Sequence, residues 1–150
     1  MNSLTEPGAV EQLIGRLDKL HEKRPRAWGR MTPHEMLCHL NDSFAGVLGD
    51  RPIAPVDTLL MRTVFKFIAL HTSLAWPKGV KTTPEVDPHR GGTKPVDFAT
   101  DRARTIALMQ RFVQPDARYR NHPAFGPLTR DEWMIWAWRH TDHHLRQFAL

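Results

Sequence analysis

Hydrophobic positions recur at helical spacing in five stretches of this chain, and no stretch shows the sustained alternation of a strand. From Thr5 to Lys23, Val10, Leu13, Ile14, Leu17 and Leu20 share one side while Glu11, Arg16, Asp18 and Lys19 face away, which predicts an amphipathic core helix ended by Pro25. Trp28 and Gly29 fall in a short connection. Thr32, Pro33 and Glu35 then form a helix start signal, a capping box with proline in the first turn, and the second helix should run to about Leu48. Its stripe is Met36, Leu40, Phe44 and Val47, with His39 at the edge beside Glu35, Asp42 and Ser43. After Pro52 and Pro55, Val56 to Leu70 is apolar but too short to span a membrane and carries Arg62 and Lys66; it reads as a buried bundle helix with a narrow polar edge. From 72 to 96 the periodicity gives way to prolines and glycines, so this long connection crosses over the bundle or covers a site. A fourth helix starts at Asp97, with Ala99, Ala103, Ile106, Met109 and Val113 along one side, and stops before Pro115. Residues 121–128 form an apolar loop that leads into a second capping box, Thr129 with Glu132, opening a last helix that reaches about Leu150. The expected architecture is all-α: a four-helix bundle with an extra helix and a long crossover at about 72–96, in a single domain over 1–150.

The last helix carries the chemistry. With about 100° per residue and His140 as origin, His144 falls near +40°, Gln147 near −20°, Trp136 near −40° and Trp133 near +20°. Two imidazoles are thus aimed at the apolar side one turn apart, the spacing at which both reach one metal ion. Such a pair also arises by chance in helices; its inward direction is what gives it weight, because a buried neutral imidazole needs partners at two ring nitrogens. His143, near −60°, is open to three readings: a ligand, an acid or base at the rim, or a solvated residue. Arg139, Asp142 and Arg146 cluster on the far side. Gln147 shares the histidine face and is expected to hydrogen-bond near the site, with Trp133 and Trp136 as its floor. Taken alone, His39 is a half-exposed histidine on a helix shoulder, but a mononuclear site with an open position needs three protein ligands, and His39 is placed to be the third. Cys38 points about 100° away from it and reads as a small buried apolar residue.

Composition changes little. The chain has 150 residues, 41% hydrophobic and 25% charged, as in an ordinary globular domain. Its net charge of +5 comes from 21 basic residues scattered among 16 acidic ones, so no nucleic-acid partner is expected. One cysteine and no signal-like or membrane-spanning stretch lead to the expectation of a cytoplasmic protein without a membrane partner.

Four phrases resemble a known superfamily: Trp28 to Pro33, Met36 to Leu40, His122 to Leu128, and His140 to Phe148. They are similar to the DinB/YfiT-like metalloenzymes, in particular to a branch known only as a domain of unknown function. The resemblance implies a four-helix bundle with a long crossover, and a divalent transition metal, nickel or zinc, held by His39, His140 and His144. It leaves the substrate open, since the superfamily spans thiol-dependent transferases and isomerases, hydrolases and members without known activity. The expectation is a metal-dependent enzyme acting on a small molecule, with His122, His143 or Asp142 in proton transfer or support, and Gln147 and Trp136 lining the cofactor. Hydrolysis is favoured over thiol transfer, since no thiol pocket is recognisable, although a low-molecular-weight thiol as co-substrate stays open, as does a homodimer. A noncatalytic bundle that binds a metal or small molecule is the alternative.

Overall fold

The computed structural model describes residues 2–150. It is all-helical, with five α-helices and, among the described residues, no strand: α1 Ala9–Asp18, α2 Pro33–Val47, α3 Lys66–His71, α4 Phe98–Phe112 and α5 Arg130–Arg146. No helix among the described residues is long and apolar enough to cross a membrane.

The two helices that matter most start where the sequence says they should. Thr32 Oγ1 accepts the Glu35 amide at 3.2 Å while Glu35 Oε2 accepts the Thr32 amide at 2.8 Å, and Thr129 with Glu132 repeats the same two distances at the head of α5. Each box satisfies two backbone donors that the first helical turn leaves open. The entry of α2 and α5 is thereby fixed by local chemistry.

α2 is the central element, buried on every side from His34 to Val47 except at Glu35. Leu13 and Leu17 of α1, Phe112 of α4 and Trp133 of α5 join its Met36, Leu40 and Phe44 in one core. This corrects the shoulder reading of His39, which is only 4% exposed. The edge that would face solvent is covered by a short 3-10 turn, Pro84–Val86, within the long connection.

Three other expectations are corrected. α1 is shorter than Thr5–Lys23 because Gly8, in the left-handed region at φ 78, sets its start, although Leu4 and Leu20 beyond its ends still reach the core. α4 buries Thr105, Leu108, Met109 and Phe112 and leaves Ala99 and Ala103 exposed. Its face is set by polar partners on α2: Thr105 Oγ1 donates to Asn41 Oδ1 at 2.8 Å, and Asn41 Nδ2 donates to the Asp101 carbonyl at 3.0 Å. The stretch before Leu70 is not a buried helix: a π-helical turn, Met61–Phe65, leads into α3, Leu59 and Phe67 are 80% and 60% exposed, and of α3 only Leu70 is fully inside. Lys66 and His71 fasten this segment to α5 through Glu132 Oε1 at 2.9 and 3.1 Å.

The 72–96 connection is irregular, as expected, but held in place. Both oxygens of the buried Asp42 on α2 are taken by Thr93, its amide and its hydroxyl at 2.7 Å each, and Arg51 pairs with the same carboxylate while donating to the Glu85 carbonyl at 2.7 Å. Gly92 allows the chain to fold back tightly, since a Cβ there would lie 2.7 Å from the Asp87 carbonyl carbon. The backbone of 84–87 is thus pressed onto α2 one turn from His39.

Candidate metal centre

His39 from α2 and His140 and His144 from α5 converge. One ring nitrogen of each lies within 4.8 Å of the other two, and all three side chains are buried. His39 Nε2 is 3.1 Å from His140 Nε2. The rings of His39 and His144 are 4.5 Å apart, and those of His140 and His144 4.8 Å.

Hydrogen bonds set which nitrogens face inward. The Val86 carbonyl can only accept, so His39 Nδ1, 2.7 Å away, carries the proton and leaves its Nε2 as a lone pair. Gln147 Oε1 accepts from His144 Nδ1 at 3.0 Å, which frees the Nε2 of that ring in the same way. The His140 ring plane is fixed by Trp136, stacked beneath it at 4.8 Å and 23°. Its Nδ1 is buried with no hydrogen-bond partner among the described residues.

Burial, opposed in part by the Val86 bond, holds His39 below the ordinary imidazole pKa. Burial, followed by the neighbouring imidazoles, pushes His140 and His144 well below it. Neutral imidazoles are the donor state a metal requires, and His39 and His144 each keep the Nε2 lone pair free. Two nitrogens bound to one ion at about 2.0–2.1 Å lie about 2.9 Å apart in cis-octahedral geometry and about 3.3 Å apart in tetrahedral geometry. The observed 3.1 Å falls between them. The three histidines could therefore hold a metal ion.

The other expected residues divide. Gln147 is buried and supports His144 directly, and Trp133 and Trp136 pack edge to face at 5.3 Å as the floor. His143 is not solvated: it is half-buried, with Trp28 4.9 Å and Trp76 6.0 Å away, and burial lowers its pKa. Asp142 is buried rather than facing solvent, and its two oxygens are held by Arg16 of α1 and by Arg146, each at 2.8 Å. His122 is one ring removed from the three histidines, 5.4 Å from Trp136. Its Nδ1 accepts the amides of Ala124 and Phe125 at 3.1 Å, its ring stacks on Phe125, and it lines an open cavity of about 530 Å³ with Arg51, Arg120 and Asp57.

Sequence reasoning missed Trp76, whose ring is 6.2 Å from His140, and the Val86 carbonyl. A tryptophan isolated in a proline- and glycine-rich stretch was an available signal for the first. A backbone oxygen leaves no signal in a sequence.

No curated protein and no solved structure matches the chain. A family model matches residues 8–150. The protein with this buried three-histidine centre thus belongs to the family described as "Protein of unknown function (DUF1569)".

Proposed function

We propose that the protein is a metal-dependent enzyme of the DinB/YfiT-like kind, a four-helix bundle in which His39, His140 and His144 hold one nickel or zinc ion and a small molecule is hydrolysed beside it. The observation that carries this reading is the pair of pinned Nδ1 protons, on Val86 for His39 and on Gln147 for His144, which turn two lone pairs toward His140 Nε2. A bound divalent ion supplies Lewis acidity, polarising a substrate oxygen and lowering the pKa of a water or thiol beside it. Three neutral ligands leave the full double charge of the ion available for that purpose.

The chain's own groups do the rest. Trp28 and Trp76 pack against His143 beside the three histidines, and His143 would hold or release a proton there. Trp136 keeps the His140 ring in plane. Asp142 supports the site through architecture, by tying α5 to α1. Cys38 is not a nucleophile for this site: it faces α4, with Asp101 beside its sulfur.

Thiol transfer is the second reading, and one feature favours it. Lys78 stands over the Trp28 ring at 5.2 Å, placing a cation on that ring, where the carboxylate of a small thiol would be received. The deciding experiment is a screen of esters, amides and phosphoesters with metal-reconstituted protein, run beside electrophiles plus a low-molecular-weight thiol. Turnover lost in His39→Ala and His144→Ala supports the metal-centred reading. Turnover undiminished in both refutes it, and silence in both panels favours a noncatalytic metal-binding bundle.

A further inference from the structure

We propose that His34, Cys38 and Asp101 form a second metal site, between α2 and α4, suited to a thiophilic divalent ion such as zinc. His34 and Cys38 are one turn apart on α2, and Asp101 stands in the first turn of α4. Asp101 Oδ2 lies 2.8 Å from His34 Nε2 and 3.6 Å from Cys38 Sγ, and the three donor atoms are within 4.8 Å of one another. Around a tetrahedral zinc ion a thiolate and a carboxylate oxygen lie about 3.5 Å apart, and a nitrogen and an oxygen about 3.3 Å apart. The sulfur and the carboxylate oxygen are thus already at ligand spacing from each other, and the imidazole and carboxylate need to part by about 0.5 Å.

A hydrogen bond joining two helices accounts for His34 and Asp101 but not for the thiol, which is fully buried and shares the same carboxylate oxygen. Among the described residues no arginine or lysine pairs with Asp101; its partners are the imidazole and the thiol. Its neighbour Arg102 is directed to the Phe98 ring and to the Asp18 and Leu20 carbonyls. Phe98 packs edge-on against the His34 ring at 5.5 Å, and Glu22 Oε1 is 3.8 Å from His34 Nδ1, so the ring is oriented and has a carboxylate on its outer side.

Without a cation the Cys38 thiol is held up at about 12, by burial and then by Asp101. On binding, the S–H bond is replaced by a sulfur–metal bond and the proton leaves to solvent, with no change of oxidation state. Thiolate and carboxylate then balance the double charge of the ion. Three protein donors leave a further position for water, and Asp101, being half-buried, gives the site its solvent side.

The test is a cobalt(II) titration of the full-length, metal-free protein, read in the ultraviolet and visible. Nitrogen ligands alone give only weak visible bands, whereas a thiolate adds a strong near-ultraviolet charge-transfer band. The expected result is that band in the wild type, its loss in Cys38→Ser and weakening in Asp101→Asn, with the visible bands of the three-histidine centre retained. Zinc should also protect the single thiol of the wild type from a thiol reagent. Folded wild-type protein that saturates with cobalt without the near-ultraviolet band, or whose thiol reacts equally with and without zinc, overturns the proposal, and neither readout depends on a variant folding.

Discussion

Gln147 Oε1 accepts the Nδ1–H of His144 at 3.0 Å, so a side chain from the C-terminal cap of α5 supports a ring in that helix's last turn. Outer partners of this kind fix the tautomer and raise ligand basicity, and their loss costs about 10–100-fold in metal affinity. Gln147→Ala should bind metal more weakly by about that factor while remaining folded. Competition with a chromophoric chelator measures it; unchanged affinity would make Gln147 plain core packing.

The connection before α4 acts on the same centre through its backbone. A Cβ at Gly92 would stand 2.7 Å from the Asp87 carbonyl carbon and 2.9 Å from its nitrogen, so Gly92→Ala has to push 84–87 outward and draw the Val86 carbonyl off His39. Weaker metal binding is expected with helix content near that of the wild type, measured by circular dichroism beside the same chelator competition. Wild-type affinity in this variant would show that the Val86 bond is dispensable.

His122 makes a pH prediction. Burial lowers its pKa to about 3, and its Nδ1 accepts two amides that a proton there would displace. In the unfolded chain the ring takes a proton near pH 6.5, so the unfolded state binds more protons between about 6.5 and 3. This contribution to stability is present above 6.5 and is lost progressively as pH falls through that window. In His122→Asn the amide oxygen can accept the same two bonds without titrating. Its melting temperature should be close to wild type at pH 7.5 and fall less on acidification to pH 5; an identical fall in both proteins would contradict the assignment.

Glu132 closes the capping box of α5 and receives Lys66 and His71. Burial raises its pKa, but the bonds from Lys66, Thr129 and His71 outweigh this and hold the carboxyl below its usual range. Glu132→Ala should cost about 1–2 kcal/mol in urea unfolding at neutral pH, and Glu132→Gln less, since an amide oxygen still accepts at the cap. Equal losses would place the whole effect in the charge.

What was legible in the sequence was local. Thr32 with Glu35 and Thr129 with Glu132 act within one turn, so the starts of α2 and α5 could be read directly, and the inward aim of His140 and His144 follows from the phase of one helix. The rest depended on partners from elsewhere in the chain. The α4 face is chosen by Asp101 and Thr105, polar residues that a hydrophobic pattern ranks as solvent-facing. The segment 59–70 is apolar around most of its circumference, with Arg62 and Lys66 as its narrow polar edge, so its pattern gives little direction and does not show that Leu59 and Phe67 stand outside. His39 looked half-exposed because its cover is backbone from Pro84–Val86, forty-odd residues away in sequence and without a side-chain signature.

The central claim is that His39, His140 and His144 hold one ion. Elemental analysis of metal per chain, on wild type and His140→Ala purified and dialysed side by side, tests it most directly. The account predicts a difference of about one equivalent of a divalent transition metal between the two, whatever else the protein binds. Equal metal content in wild type and His140→Ala would contradict it.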